Sequence, residues 1–243
     1  MNINIFTYNL KGTTSTRLGF PVYNYKTFPL KEYNNSIVVR WGNSTLLDVR
    51  DFKNVINPSA AIAQNCRKLF ARKKLGEVVN TPKLYETKVP KGVTAVVRPY
   101  EHEAGNDFQI KQGPFELDYG WYASEFIKTD TEFRVWFANG KTIGGIRKPW
   151  KDQTITEFPC RSKWAYEYAK VPLKLAEDTI KAANKIGLVT GAADVLVKDN
   201  KYYFLELNSA PAIDTCTIER FYRENIIRYA ISKWGTDLNL ELK

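Results

Sequence analysis

The dipeptide Asn139-Gly140 stands between two runs of alternating character, TEFRVWFA and KTIGGIRK. Asn-Gly between such runs is the strongest short-range signal for a two-residue hairpin, because both turn positions need a positive φ. The hairpin assigns faces, since side chains alternate along a strand. Phe133, Val135 and Phe137 fall on one face, expected to be core, and Arg134, Trp136 and Ala138 on the other. A flush turn pairs Ala138 with Lys141 and so predicts Arg134 and Arg147 on one side of the ribbon. Two guanidiniums on one face repel each other unless an anion lies between them, which points to a phosphate or carboxylate site.

A second hairpin is predicted nearer the C-terminus, where AADVLVK and YYFLELN flank the polar pair Asp199-Asn200. Glu206 and Asn208 share a face of their strand. Asp194 joins them only if the pairing is centred on Asn200, which needs the three-residue loop Asp199-Asn200-Lys201 or an equivalent bulge. In that register Asp194, Glu206 and Asn208 converge on one patch. Two buried carboxylates would repel, and one would take up a proton. A Mg²⁺ ion resolves the conflict, because it prefers oxygen ligands and completes its shell with water and phosphate. The competing reading is a solvated strand face with no function.

The chain has 243 residues, enough for one large domain or two to three subdomains sharing a core. No apolar run is long enough to cross a membrane, and the N-terminus carries no signal-peptide pattern, so no membrane partner is expected. Three widely spaced cysteines, Cys66, Cys160 and Cys216, suit a reducing cytoplasm. The single histidine, His102, argues against a His-centred triad, so catalysis must rest on carboxylates, cations and metal. The net charge of +10 is compatible with anionic ligands. The cations are scattered and no nucleic-acid-binding motif accompanies them, so nucleic acid is the less favoured partner.

Residues 1–57 read as a small α/β lead-in with strands at 36–42 and 54–57. Residues 59–76 read as one helix, with Ser59 placed to cap it and Gly76 to stop it. TAVVRPY (94–100) and FQIKQG (108–113) read as strands around a polar loop containing Gly105. Residues 170–191 contain a helix with Pro172 in its first turn and Gly187 at its end, and residues 217–234 form a closing amphipathic helix.

The segment GAADVLVKDNKYYFLELNSAPAID resembles the metal-binding hairpin of the ATP-grasp superfamily, an Asp followed by Glu-x-Asn and a Pro three residues on; Asp194, Glu206, Asn208 and Pro211 match in turn. SEFIKTDTEFRVWFANGK resembles the adenine-binding hinge and its Arg-bearing strand. VVRPYEHEAGNDF resembles the cation-bearing strand and phosphate loop. WGNSTLL and NPSAAIAQNCRKLF resemble the lead-in of a phage-type carboxylate–amine ligase branch.

The resemblance implies an α+β ATP-grasp fold, two subdomains with antiparallel sheets around ATP. The divisions would be a lead-in at 1–57, a small subdomain with the phosphate loop at 58–122, and a C-terminal subdomain with the metal site at 123–243. It implies an ATP-dependent ligase joining a small-molecule or peptide carboxylate to an amine through an acyl phosphate, in the cytoplasm, that of the host if phage-encoded. Asp194, Glu206 and Asn208 would hold Mg²⁺. Arg98 and Lys68 or its neighbour Arg67 would hold phosphates, with Gly105 over the γ-phosphate. Glu125, Phe126 and Ile127 would lie against adenine, and Arg134 and Arg147 would serve the reacting centre. The chain departs from the pattern in its single loop glycine, in Cys66 at an aligned helix position, and in Ala212 after the Pro. A kinase on the same scaffold and a non-catalytic basic binding module are the alternatives.

Overall fold

The computed structural model of the chain describes residues 3–7, 10–11, 13–24, 27, 36–42, 53–100, 108–129, 131–149, 166–213 and 215–235. The N-terminal layer comprises β1 (Ile3–Phe6), α1 (Thr13–Arg17), β2 (Val22–Tyr23), β3 (Ile37–Arg40) and β4 (Asn54–Ile56). These strands form a parallel sheet in the order β2-β1-β3-β4. β1 and β3 are buried along their whole length, the polar Asn4 and Arg40 included, as strands of parallel sheets covered on both faces are.

Where one helix is expected there are two, α2 (Ser59–Cys66) and α3 (Lys68–Gly76). The chain leaves helical geometry at Arg67, with φ −78° and ψ 85°. Pro58, not Ser59, occupies the cap position, and Ser59 Oγ instead accepts a hydrogen bond from Arg40.

β5 (Leu84–Tyr85), β7 (Thr94–Pro99), β8 (Gln109–Gln112) and β10 (Trp121–Glu125) make an antiparallel sheet in the order β5-β10-β7-β8. β6 (Lys88–Val89) and β9 (Phe115–Glu116) form a short ribbon beside it. Val89, Ala95, Val97 and Ala123 are its core.

The remaining elements are β11 (Thr131–Ala138), β12 (Lys141–Pro149), β13 (Glu167–Tyr168), α4 (Leu173–Ile186), β14 (Thr190–Lys198), β15 (Lys201–Asn208) and α5 (Cys216–Trp234). Their strands form an antiparallel sheet in the order β13-β12-β11-β14-β15. Both hairpin turns have two residues with positive φ, Asn139 and Gly140 at 52° and 69°, Asp199 and Asn200 at 48° and 58°. The second turn is therefore a two-residue one, with Lys198 paired to Lys201, which leaves the bulge as the alternative that holds. α4 begins after Pro172 and closes on Gly187 at φ 85°, a left-handed position that suits glycine.

Both faces of this sheet are buried. Phe133, Val135, Phe137, Ala193, Val195, Phe204 and Leu207 pack with residues of α2, α3 and α4. Residues 59–79, expected in the small subdomain, thus lie on the C-terminal sheet. On the other face Trp136, Ala138, Ile146 and Ala192 pack with Ile218, Tyr222 and Ile226 of α5 and with Ile3, Ile5, Ile37 and Val39 of the parallel sheet. The Phe133 face is core as expected, and on the opposite face Trp136 and Ala138 are fully buried as well. A further layer covers them, and no alternation within one strand could reveal it.

Candidate active site

The candidate residues occupy the part of the second face that continues beyond this packing. β11 and β14 pair so that Arg134 lies opposite Asp194. Directly opposed residues share a face, and Arg134 donates from Nε to Asp194 Oδ1 and from Nη2 to Oδ2, both at 2.8 Å. β14 and β15 begin in the register of their two-residue turn, up to Val195 opposite Phe204. The register then shifts, leaving Leu205 as an extra residue and bringing Glu206 opposite Asp194 and Asn208 opposite Ala192. The bulge, not the loop, aligns the three oxygen-bearing side chains.

Glu206 Oε2 accepts from Lys68 Nζ at 2.9 Å, and Asn208 Oδ1 accepts from the Ala210 N–H at 2.9 Å. Lys68, the first residue of α3, thus reaches the row. Among the described residues no group of three His, Cys, Asp or Glu side chains is placed to hold a metal. The donor set is two carboxylates and an amide. Those are hard oxygens, and each carboxylate oxygen retains acceptor capacity beyond one hydrogen bond. The set fits Mg²⁺, which needs few protein ligands, provided the ion shares Asp194 with Arg134 and Glu206 with Lys68.

The first hairpin corrects one expectation. β11 and β12 shift register between Trp136 and Phe137, so Ile143 is extra, and Arg147 lies opposite Phe133. Arg147 therefore sits on the other face from Arg134. It is exposed and pairs with Glu167 at 2.6 Å. Lys148 takes the place expected for Arg147. It lies opposite Glu132, bonds that carboxylate, and comes within 3.4 Å of Asp194 Oδ1. The only sequence signal for the bulge is Gly144-Gly145, since an isolated glycine in a strand marks bulges and close approaches. A side chain at Gly144 would collide with Ile218 of α5.

The charges are strongly coupled. Burial pushes the Asp194 carboxyl up, but Arg134 and then Lys148 outweigh it and hold the value below the ordinary one. Arg134 is disfavoured by burial, yet Asp194 raises its pKa further and keeps it a fixed cation. Glu132 is raised by burial and by Asp194, with Lys148 opposing.

Arg98 projects from β7 and lies over the Phe108 ring, 5.4 Å from its centroid. Burial and the neighbouring Arg72 depress its pKa, while the charge of Glu206 raises it. Glu125 ends β10, exposed, its N–H bonded to Lys83 O at 2.8 Å. The Phe126 N–H bonds Thr94 O at 2.9 Å, and Ile127 is 8% exposed. These residues lie on the segment joining the two antiparallel sheets. Gly105 and the rest of 101–107 lie outside the described residues.

No protein-family model matches the chain, and no curated protein matches it. Solved structures do. The ATP-grasp ligase PsnB complexed with a minimal precursor aligns over 93% of this chain and 99% of its own, at 14% identity and a TM-score of 0.64. D-alanine–D-alanine ligase from Bacillus anthracis aligns over 96% and 99%, at 13% identity and 0.65. The macrocyclase MdnC from Microcystis aeruginosa MRC, bound with its precursor peptide MdnA, aligns over 93% and 99%, at 10% identity and 0.63.

The chain has the ATP-grasp fold. Within this fold the row Arg134–Asp194–Glu206 lies on one antiparallel sheet and Arg98 on the other. Sequence reasoning missed Lys148, because the β12 bulge that turns it inward is set by packing against α5, and it missed Glu132 although alternation along β11 already places that residue on the face of Arg134.

Proposed function

We propose that the chain is an ATP-dependent carboxylate–amine ligase, of the phage-type branch its lead-in segments resemble. The observation that carries this reading is the Arg134–Asp194–Glu206 row with Lys148 beside it, facing cations from two other elements. Further support comes from similar structures, which include PsnB complexed with Mg and ADP and D-alanine–D-alanine ligase complexed with ATP. In this reading Asp194, Glu206 and Asn208 hold Mg²⁺. When bound, the ion neutralises charge on the phosphate oxygens during transfer. Lys68 and Arg98 bind the phosphates, the backbone around Gly105 covers the γ-phosphate, and Glu125, Phe126 and Ile127 border adenine.

The substrate carboxylate is a small acid or a peptide. Arg134 orients it, with Lys148 completing the positive side. A carboxylate oxygen attacks the γ-phosphorus and ADP departs with the bridging oxygen, leaving an acyl phosphate. An amine attacks the acyl carbon, phosphate leaves, and the amine gives up its proton to solvent. Arg134 offsets the charge on the tetrahedral oxyanion. No side chain of the protein is acylated, in keeping with the lone histidine.

Incubation with Mg-ATP and pools of amino acids and peptides, read by mass spectrometry, tests the reading. The expected product has the mass of acid plus amine less one water, formed with one ADP and one phosphate. A stable phosphorylated product would establish a kinase instead, and no ATP-dependent product would refute both.

A further inference from the structure

β15 is the outer strand of its sheet, so its outward N–H and C=O groups need partners from elsewhere. Residues 65–80 supply them. Asn65 Nδ2 donates to Leu207 O at 2.9 Å, and Asn80 O accepts from the Phe204 N–H at 2.8 Å. Between these contacts Arg72 donates from Nε and Nη2 to Leu205 O, at 3.1 and 3.0 Å. Leu205 is the bulge residue. Arg72 is 7% exposed, and among the described residues no carboxylate pairs with it. A buried guanidinium thus spends a forked pair of hydrogen bonds on one neutral carbonyl.

The consequence follows from register. With a two-residue turn and no bulge, Leu205 would face Asp194 and Glu206 would turn into the apolar side beside Val195 and Phe204, because a one-residue slip exchanges the faces. Burial of Leu207 selects the bulged register. It does not set the angle at which Glu206 leaves the strand, since a bulge is a local interruption of the ladder. Arg72 fixes the carbonyl immediately before Glu206. Lys68, one helical turn earlier and on the same side of α3, fixes the Glu206 carboxylate. One helix therefore holds both ends of a single site residue.

We infer that Arg72 is a positioning residue, which locks the β15 bulge and thereby sets the aim of Glu206 and the affinity of the metal row. The inference rests on the metal-binding part of the ligase reading. Partners that orient a metal ligand are worth about 10–100-fold in affinity.

The test uses the whole chain with Arg72→Met and Arg72→Lys, measuring Mn²⁺ binding by the spin-resonance signal of free Mn²⁺ and amide exchange along the strands. Arg72→Met is expected to weaken Mn²⁺ binding about tenfold and to speed exchange at residues 204–208, leaving β11 and the first half of β14 as protected as before. Arg72→Lys, with one ammonium in place of the fork, falls between. If Arg72→Met does not fold, Arg72→Lys carries the test alone. Unchanged exchange at 204–208 would show that there is no clamp. Faster exchange with wild-type Mn²⁺ affinity would show a clamp of purely structural effect; either result overturns the inference. A wild-type chain that binds no Mn²⁺ would refute the metal reading itself, and the inference with it, without recourse to the variants.

Discussion

At Asp194 two opposed effects meet, the cost of burying a carboxylate and the attraction of Arg134 and Lys148, and attraction prevails. A depressed folded-state value means the carboxylate contributes stability that is fully present above its unfolded value, ordinarily near 3.8, and is lost as pH falls through the lower folded value. Glu132 works in the opposite sense, its raised value making acidification through the folded pKa favourable to the native state. Asp194→Asn strips Arg134 of its paired carboxylate in a largely dry site, while Lys148 keeps Glu132, and is expected to cost about 3–5 kcal/mol at neutral pH. Urea unfolding of both proteins should show that gap unchanged from pH 7 to pH 6 and narrowing only in strong acid. A gap that closes already between pH 7 and 6 would mean that Asp194 is not the buried, paired anion described.

At the scale of elements, two strands each carry one residue more than their partners need, and those residues decide which side chains reach the site. The β12 bulge separates Arg147 from Lys148. Lys148→Met removes the cation facing Glu132 and Asp194 and should lower kcat by about 100-fold, the scale of one electrostatic contact to the reacting centre. Arg147→Ala deletes only an exposed pair with Glu167 and should change stability by less than about 1 kcal/mol and leave the rate unaltered. Steady-state kinetics of the two variants checks the register; the reverse ranking would restore the flush hairpin. Much at this scale was legible in the sequence. Asn139-Gly140 announced its turn, Gly187 ended its helix, and the spacing of Asp194, Glu206 and Asn208 announced a convergent face given a bulge. The bulge positions were not legible. Gly144 yields to Ile218 and Leu207 seeks the core, and both are contacts with residues distant in the chain. The break at Arg67 was hidden for a similar reason, since the residues on either side of it are individually compatible with one continuous helix.

For the whole molecule, the C-terminal sheet is a shared wall. Helices α2–α4 close one face, and α5 with the parallel sheet closes part of the other. The charged row lies on the rest of that face, itself largely buried, and Lys68 bonds Glu206 at its edge from an element far away in sequence. Composition indicated a folded chain compatible with anionic ligands, but only the assembled layers bring Arg134, Lys148 and Lys68 together around Asp194 and Glu206. In the ligase reading this row binds a nucleotide through a divalent ion. Calorimetric titration of a non-hydrolysable ATP analogue, with and without Mg²⁺, into the wild type and Glu206→Gln tests it most directly. The account predicts Mg²⁺-dependent binding to the wild type and a loss of at least about tenfold in the variant with unchanged thermal stability. Equal, Mg²⁺-independent binding to both proteins would contradict it.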